Sequence, residues 1–520
     1  MKLLLPCLLL SGSLFAQTFN TEILDANNIA VSLNDSSIHC YNIELSEPGF
    51  EFPKGSGNQL IYRSLFWFAG VDASGQLAAS FHRLSDMDSD QYKGPFGADI
   101  PTDEYNNPIN YPKSIWKVSK ATIDYHKLNF TATGYIVPSE LEEWPAHGNV
   151  SDGESYNLAP FVDANGNGLY DPENGDYPDI RGDEAVYIIS NDNAKVENGE
   201  SDWNCGIEVH YMYYQFNTDD YLNDAVFLNV RVYNRGTKSF PEFYCSNFLD
   251  IDLGDATNDQ IGCDSALNMM FGYNGEGIDN GQGTAPGFGT NPPAFASVLL
   301  NKKLHAGVFW THSTSPEGYP ATQVQMFNRM QGVLNNATPI IAGGPGGGYE
   351  TKFYFNCHPD STNCWNETTA GFAPSDRRYL ITAEPESFAP GNVICYDFVY
   401  LVNDAGGDNL ENMRGLYPLA EEVKTWYDDQ WRFNCDQVTM LSTPEKELKE
   451  ISVFPNPSNS GFAVSTQESG DFRIMNMSGQ MALEGYYETG NIIGSDLPSG
   501  VYLLEMNLPS GLYQTRLVVE

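Results

Sequence analysis

The chain has 520 residues, 41% of them hydrophobic and 13% aromatic, which is too long for one ordinary core and too apolar for wholesale disorder. Acidic residues outnumber basic ones 68 to 27, giving a net charge of −41. Such a field excludes nucleic acid and anionic membrane surfaces as partners and draws cations.

Residues 1–16 read as a secretory signal peptide. Lys2 supplies the positive start, Leu3 to Leu10 the apolar run and Ser11 to Ser13 the small residues, with cleavage expected after Ala16. No later segment approaches the roughly 18 apolar residues of a transmembrane helix. The mature chain keeps Cys40, Cys205, Cys245, Cys263, Cys357, Cys364, Cys395 and Cys435. An even number in an exported chain favours disulfides, and the absence of a CxxC pair argues against zinc ribbons and thioredoxin-like chemistry. One pairing is expected on spacing, Cys357 with Cys364, closing a short polar loop.

Residues 17–200 form a loop-rich β region whose main feature is Asp163-Ala-Asn-Gly-Asn-Gly-Leu-Tyr-Asp171. Calcium takes six to eight hard oxygens, and alternate residues of a tight loop aim several at one centre. Asp163, Asn165 and Asn167 occupy loop positions 1, 3 and 5, Gly168 permits the turn, Leu169 offers a carbonyl and Asp171 stands at position 9. Asn174 replaces the usual bidentate Glu at position 12, so Glu173 or Asp176 is expected to serve instead. An ordinary Asx-turn loop is the alternative. Asp86 to Asp90 is a weaker acidic run, and His147 in Trp-Pro-Ala-His-Gly is expected to hold a loop.

Residues 201–435 form a β-rich domain. Ile207 to Phe216 and Ala225 to Tyr233, joined by a polar connection, predict an antiparallel hairpin. His210 shares a strand face with Glu208 and Met212 and is expected in the core. Asp250, Asp252, Asp255, Asp259 and Asp264 follow within fifteen residues, a second candidate calcium cluster against a solvated acidic loop. Ala342 to Gly348 is a glycine-rich loop without the lysine or helix of a phosphate-binding motif. Met413 to Trp431 carries helical periodicity through Leu416, Leu419, Val423 and Trp426.

After a polar linker at 436–450, short strands at 451–454, 462–465, 472–475, 501–506 and 513–519 predict a small immunoglobulin-like β-sandwich. Val453-Phe-Pro-Asn-Pro-Ser458, Gly461-Phe462, Ile474-Met-Asn-Met-Ser-Gly-Gln480, Leu497-Pro-Ser-Gly-Val-Tyr-Leu503 and Thr515-Arg-Leu-Val-Val519 together resemble the type A C-terminal sorting domain of the Bacteroidetes type IX secretion system. The resemblance implies export in two steps, contact with the type IX machinery through residues 451–520, and a final place outside the cell or on its outer surface. The first half of the mature chain resembles a group of large exported Bacteroidetes proteins without an established activity. The residues carrying this likeness include Leu24-Asp-Ala-Asn-Asn-Ile29, Trp144-Pro-Ala-His-Gly148 and Asp250-Ile-Asp-Leu-Gly254.

The expected architecture is therefore mostly β and multi-domain: an antiparallel β-sandwich-like body with long irregular loops, then the small C-terminal sandwich. No GxSxG elbow or HExxH motif occurs, and the histidines are scattered. Adhesion or matrix binding through an extracellular glycan or protein ligand is the leading expectation, with calcium as a structural ion. A secreted carbohydrate hydrolase and a structural subunit of a surface assembly are the alternatives.

Overall fold

A computed structural model describes residues 19–82, 89–97, 113–193, 203–281, 286–310, 316–344, 348–430, 449–476, 481–508 and 511–519. The signal peptide, most of the Asp86–Asp90 run and most of the linker lie outside them. The chain divides into two compact units, residues 1–437 and 438–520. The fold is mostly β, as expected, with antiparallel pairing throughout both large sheets of the first unit.

The first sheet has nine strands. Its path runs Thr21–Leu24, Ala30–Asn34, Phe50–Glu51, Gln59–Val71, Phe240–Ile251, Arg377–Ala383, Leu304–Trp310, with Leu77–Ser80 and Glu386–Phe388 alongside. The second, also nine-stranded, runs Asp259–Asp264, Met269–Asn274, Ala294–Leu299, Val393–Asn403, Ala225–Asn234, Ile207–Gln215, Glu184–Asn191, Tyr92–Lys93, with Ile115–Ser119 alongside. Both sheets take strands from either side of residue 200. The segments 17–200 and 201–435 thus share sheets rather than each holding its own, because pairing here joins stretches far apart in sequence.

The hairpin pairs as expected, Val209 opposite Val232 and Tyr213 opposite Leu228. Every residue of Ile207–Gln215 is buried, Glu208, His210 and Gln215 among the apolar and aromatic side chains. Val209, Tyr211 and Tyr213 face the core shared with the first sheet, where Phe66 packs on Tyr211 and on Phe398. Met212 and Tyr214 face the other way, into a second core with Phe227, Leu401 and the helix Asn409–Asp429. That helix starts on a capping box: Asp408 accepts from Glu411 N while Glu411 accepts from Asp408 N. Met413, Leu416, Ala420, Val423 and Tyr427 form its buried face at steps of three and four.

A small lobe follows Ile115–Ser119. Ser119 caps the helix Lys120–Asn129 by accepting from Thr122 N. The paired segments Phe161–Val162 and Tyr177–Pro178 close the neck of a loop beside it.

The second unit has a five-stranded sheet, Lys449–Glu450, Gly511–Val519, Gly500–Leu508, Gly470–Asn476, Met481–Tyr487, and a three-stranded one, Val453–Phe454, Phe462–Val464, Ile492–Ile493. Tyr502, Leu504 and Met506 alternate inward onto Phe462, Ile474 and Leu517. Lys449–Glu450, Met481–Tyr487 and Ile492–Ile493 add three strands to those read from the sequence, the first of them from the expected linker.

Candidate functional site

The loop 163–176 is organised from its neck. Pairing of Phe161–Val162 with Tyr177–Pro178 brings Asp163 and Asp176 to the same end. Asp163 accepts from Gly166 N at 2.6 Å, Asn167 N at 3.2 Å and Gly168 N at 2.7 Å, wrapping the chain around one carboxylate. The wrap needs left-handed backbone at Gly166 and Gly168, with φ of 74° and 78°. Asn165 and Asn167 each donate a side-chain amide to Asp171, at 2.7 and 2.9 Å, and Asn174 donates a third at 2.8 Å. Asp176 is fully buried and accepts from Ala164 N and Asp171 N at 2.8 and 2.9 Å. The Asn174 hydrogen bond, with those of Asn167 and Asn165, holds Asp171 below the usual carboxylate range, whereas burial pushes Asp176 up. Leu169 lies at the rim, exposed, its N–H given to Asn167. The loop is anchored through Tyr170, whose N–H donates to His147 Nε2 at 3.1 Å and whose hydroxyl donates to Leu141 O. All six residues singled out in the sequence here fall in one loop, and their oxygens are the hard donors that calcium takes.

The second acidic run is split by the fold. Asp250 ends a strand of the first sheet and is buried between two arginines, Arg63 Nε at 3.4 Å and Arg378 Nε at 2.9 Å. Oxygens of Asp250, Asp252 and Asp376 lie within 4.8 Å of one another. Asp376 also pairs with Arg378, at 3.0 Å. Asp259, fully buried, accepts Leu253 N at 3.2 Å. Burial, then the charge of Asp250, pushes Asp252 well up; burial, then Asp252, does the same to Asp259. Asp255 stands apart, capping the short helix Ala256–Asn258 by accepting from Thr257 N and Oγ1 at 2.9 and 2.7 Å. Asp264 is consumed by its own turn, accepting from Ala266 N and Leu267 N. Sequence reasoning missed Asp376, Arg63 and Arg378, because nothing local marks residues that only strand pairing brings to Asp250.

His210 is buried between Tyr187 Oη at 2.7 Å and Glu208 at 3.0 Å, and Arg235 closes the chain on Glu208 at 2.7 Å. A polar cleft of about 360 Å³ is lined by Glu22, Lys113, Trp116, Lys117, Glu140 and Glu184, among others. Lys117 bridges Asp25 and Glu184 across it at 2.9 and 3.1 Å. Cys357 and Cys364 are disulfide-bonded, and so is Cys395. Cys40, Cys205, Cys245 and Cys263 are free thiols buried in the core of the first unit, where each acts as a small apolar side chain, so the expectation that exported cysteines pair fails for these four.

Residues 452–520 match the secretion system C-terminal sorting domain family. No curated protein matches the chain. Among solved structures it is similar to a putative aldose 1-epimerase from Escherichia coli K12, at 9% identity over 74% of this chain and 99% of that one, with a TM-score of 0.25. It is also similar to a polysaccharide lyase, at 9% identity over 66% of this chain and 37% of that one, with a TM-score of 0.18. Both likenesses are too slight to bear on activity. The sorting domain identifies the chain as a type IX secretion cargo, secreted or held at the outer surface. No helix among the described residues is long and apolar enough to cross a membrane.

Proposed function

We propose that this type IX cargo works by surface contact, in adhesion or matrix binding, and that calcium held by Asp163, Asn165, Asn167, Leu169, Asp171 and Asp176 stiffens the lobe that makes the contact. One observation carries the reading. The lobe around the loop exposes large apolar side chains, Leu128 at 83%, Ile136 at 84%, Val150 at 64% and Leu169 at 53%. Large apolar side chains left exposed between residues 128 and 169 of an exported protein suit an interaction surface. Aliphatic groups suit a protein partner better than a glycan, which aromatic faces stack on. The absence of a recognisable catalytic motif in the sequence is consistent with a binding role.

The test uses the mature chain, residues 17–520, added with calcium or with a chelator to beads coated with extracellular-matrix protein or with polysaccharide. Calcium-dependent retention on protein-coated beads, lost in Leu128→Ser/Ile136→Ser, is the expected result. Release of reducing sugar from polysaccharide without retention on protein would replace this reading with that of a secreted hydrolase.

A further inference from the structure

We infer that the sorting domain is gripped by the type IX machinery along the free edge of Met481–Tyr487. The partner adds an extended strand there and seats one of its apolar side chains in the pocket beside that edge.

The edge comes first. Met481–Tyr487 ends the path of the five-stranded sheet and pairs with Gly470–Asn476 on one side only. Among the described residues no other strand pairs with it, and no backbone group from outside the sheet bonds to its peptide groups. Sheet edges are commonly blunted by charged side chains, lysine above all, or by proline. This strand, Met-Ala-Leu-Glu-Gly-Tyr-Tyr, has neither lysine nor proline and a single charge, Glu484.

The pocket lies beside it. The three-stranded sheet of the same unit also ends here, at Ile492–Ile493, so two free edges border one opening. A cavity of about 330 Å³ fills that opening. Buried Phe472, Tyr487 and Ile493 line it, and Leu483, Tyr486 and Ile492 stand around it, 37, 61 and 63% exposed. Leu483 pairs opposite Ile474 and Gly485 opposite Phe472, so this face of the strand looks onto the core of the unit. Gly485 leaves the Phe472 ring uncovered, since a Cβ there would stand 3.1 Å from it.

The tail's family says what covers the opening. Residues 452–520 match a secretion system sorting domain, which implies a contact between this unit and a protein of the machinery. An open edge next to an apolar pocket suits an extended segment, whose backbone continues the ladder while an alternate side chain enters the pocket. A second copy of this chain fits worse. Antiparallel pairing of two such strands about their centre sets Glu484 against Glu484, and like charges directly opposite repel.

Export of the full chain from a Bacteroidetes host with a type IX system tests this. Leu483→Asp and Ile492→Asp each put a charge at the pocket, and Gln467→Asp puts one on an exposed turn outside it. Wild type and Gln467→Asp are expected outside the cell. Leu483→Asp and Ile492→Asp are expected to stay in the periplasm, folded as judged by resistance to added protease. Ile492→Asp alone carries the comparison if Leu483→Asp does not fold, its side chain being the more exposed. A photocrosslinker, benzoylphenylalanine in place of Tyr486, gives a second readout that needs neither variant. Its adduct, identified by mass spectrometry, is expected to contain a component of the machinery. Normal export of both pocket variants, no adduct with the machinery, or an adduct of this chain with itself alone overturns the inference.

Discussion

The surface loop at Asp163 and the buried cluster at Asp250 are made of the same residue type and solve opposite problems. In the loop, nearly every carboxylate oxygen has a donor within the same fourteen residues: Asp163 takes three backbone N–H groups, Asp171 three amides and Asp176 two more N–H groups. In the cluster the partners come from afar in sequence, Arg63 and Arg378 across strand pairings and Asp376 from the residue just before the Arg377–Ala383 strand that pairs with Asp250's own. The loop therefore holds its shape by local hydrogen bonds, while the cluster holds only because the sheet assembles around it. Removing one member should be mild in the first and severe in the second.

The largest effect is expected at Asp250. Replacing it with Ala leaves Arg63 and Arg378 facing a site built for their counter-charge, and breaking a buried pair this way costs about 3 to 5 kcal/mol. Urea unfolding of the mature chain reads the loss. A change below 1 kcal/mol would mean that solvent reaches the cluster and that the contrast with the loop is false.

The loop should respond to its ion instead. At a hundred times the dissociation constant, calcium adds roughly 2.7 kcal/mol, and Asp163→Ala should abolish that increment while changing stability in chelator far less. A melt in calcium and in chelator measures both quantities. An equal loss with and without calcium would make Asp163 a turn residue alone.

The contrast also explains what could be read from the sequence. The loop was legible because its donors and acceptors follow one another in the chain, so spacing and glycines carried the geometry. The hairpin, the amphipathic Asn409–Asp429 helix and the sorting strands were legible for the same reason, each set by local periodicity. The cluster was half legible. Asp250, Asp252 and Asp259 stood out as a run that also took in Asp255, which caps a short helix, and Asp264, which closes its own turn, while Asp376 lay more than a hundred residues away. The sharing of both sheets across residue 200 was hidden for that reason too, since no local pattern says which strand a strand will pair with.

A histidine outside both regions fixes the pH window in which they can be compared. His39 is fully buried, its Nδ1 beside Tyr213 Oη at 2.8 Å, and burial, then His82, pulls its pKa down to about 3. The folded value lies below the unfolded one, so its neutral form is favoured by folding. That stability is fully present above about pH 6.5 and is lost as pH falls toward 3, at about 1.4 kcal/mol per unit. From pH 6.5 to 5 the contribution of His39 should fall by about 2 kcal/mol, against the opposite trend of the Asp192 and Glu367 carboxyls, which burial pushes up to about 7, and His39→Gln should remove that fall. Calcium titrations are therefore to be compared above pH 6.5, where the histidine is silent.

The smallest effect is expected at Asp255, and it separates capping from ion binding within a single acidic run. Its carboxylate accepts from Thr257 N and Oγ1 at the start of Ala256–Asn258. Losing such a cap costs about 1 kcal/mol. If capping is its whole role, Asp255→Ala should lower stability by that amount equally in calcium and in chelator, and the number of ions bound should not change. Asp255→Ser, which keeps a side-chain acceptor, should recover most of the loss. An ion lost in Asp255→Ala would put the binding centre on the exposed side of the run, toward Asp255. Asp250 and Asp259, the buried members of the group, would then be neutralised by arginine and by protons alone.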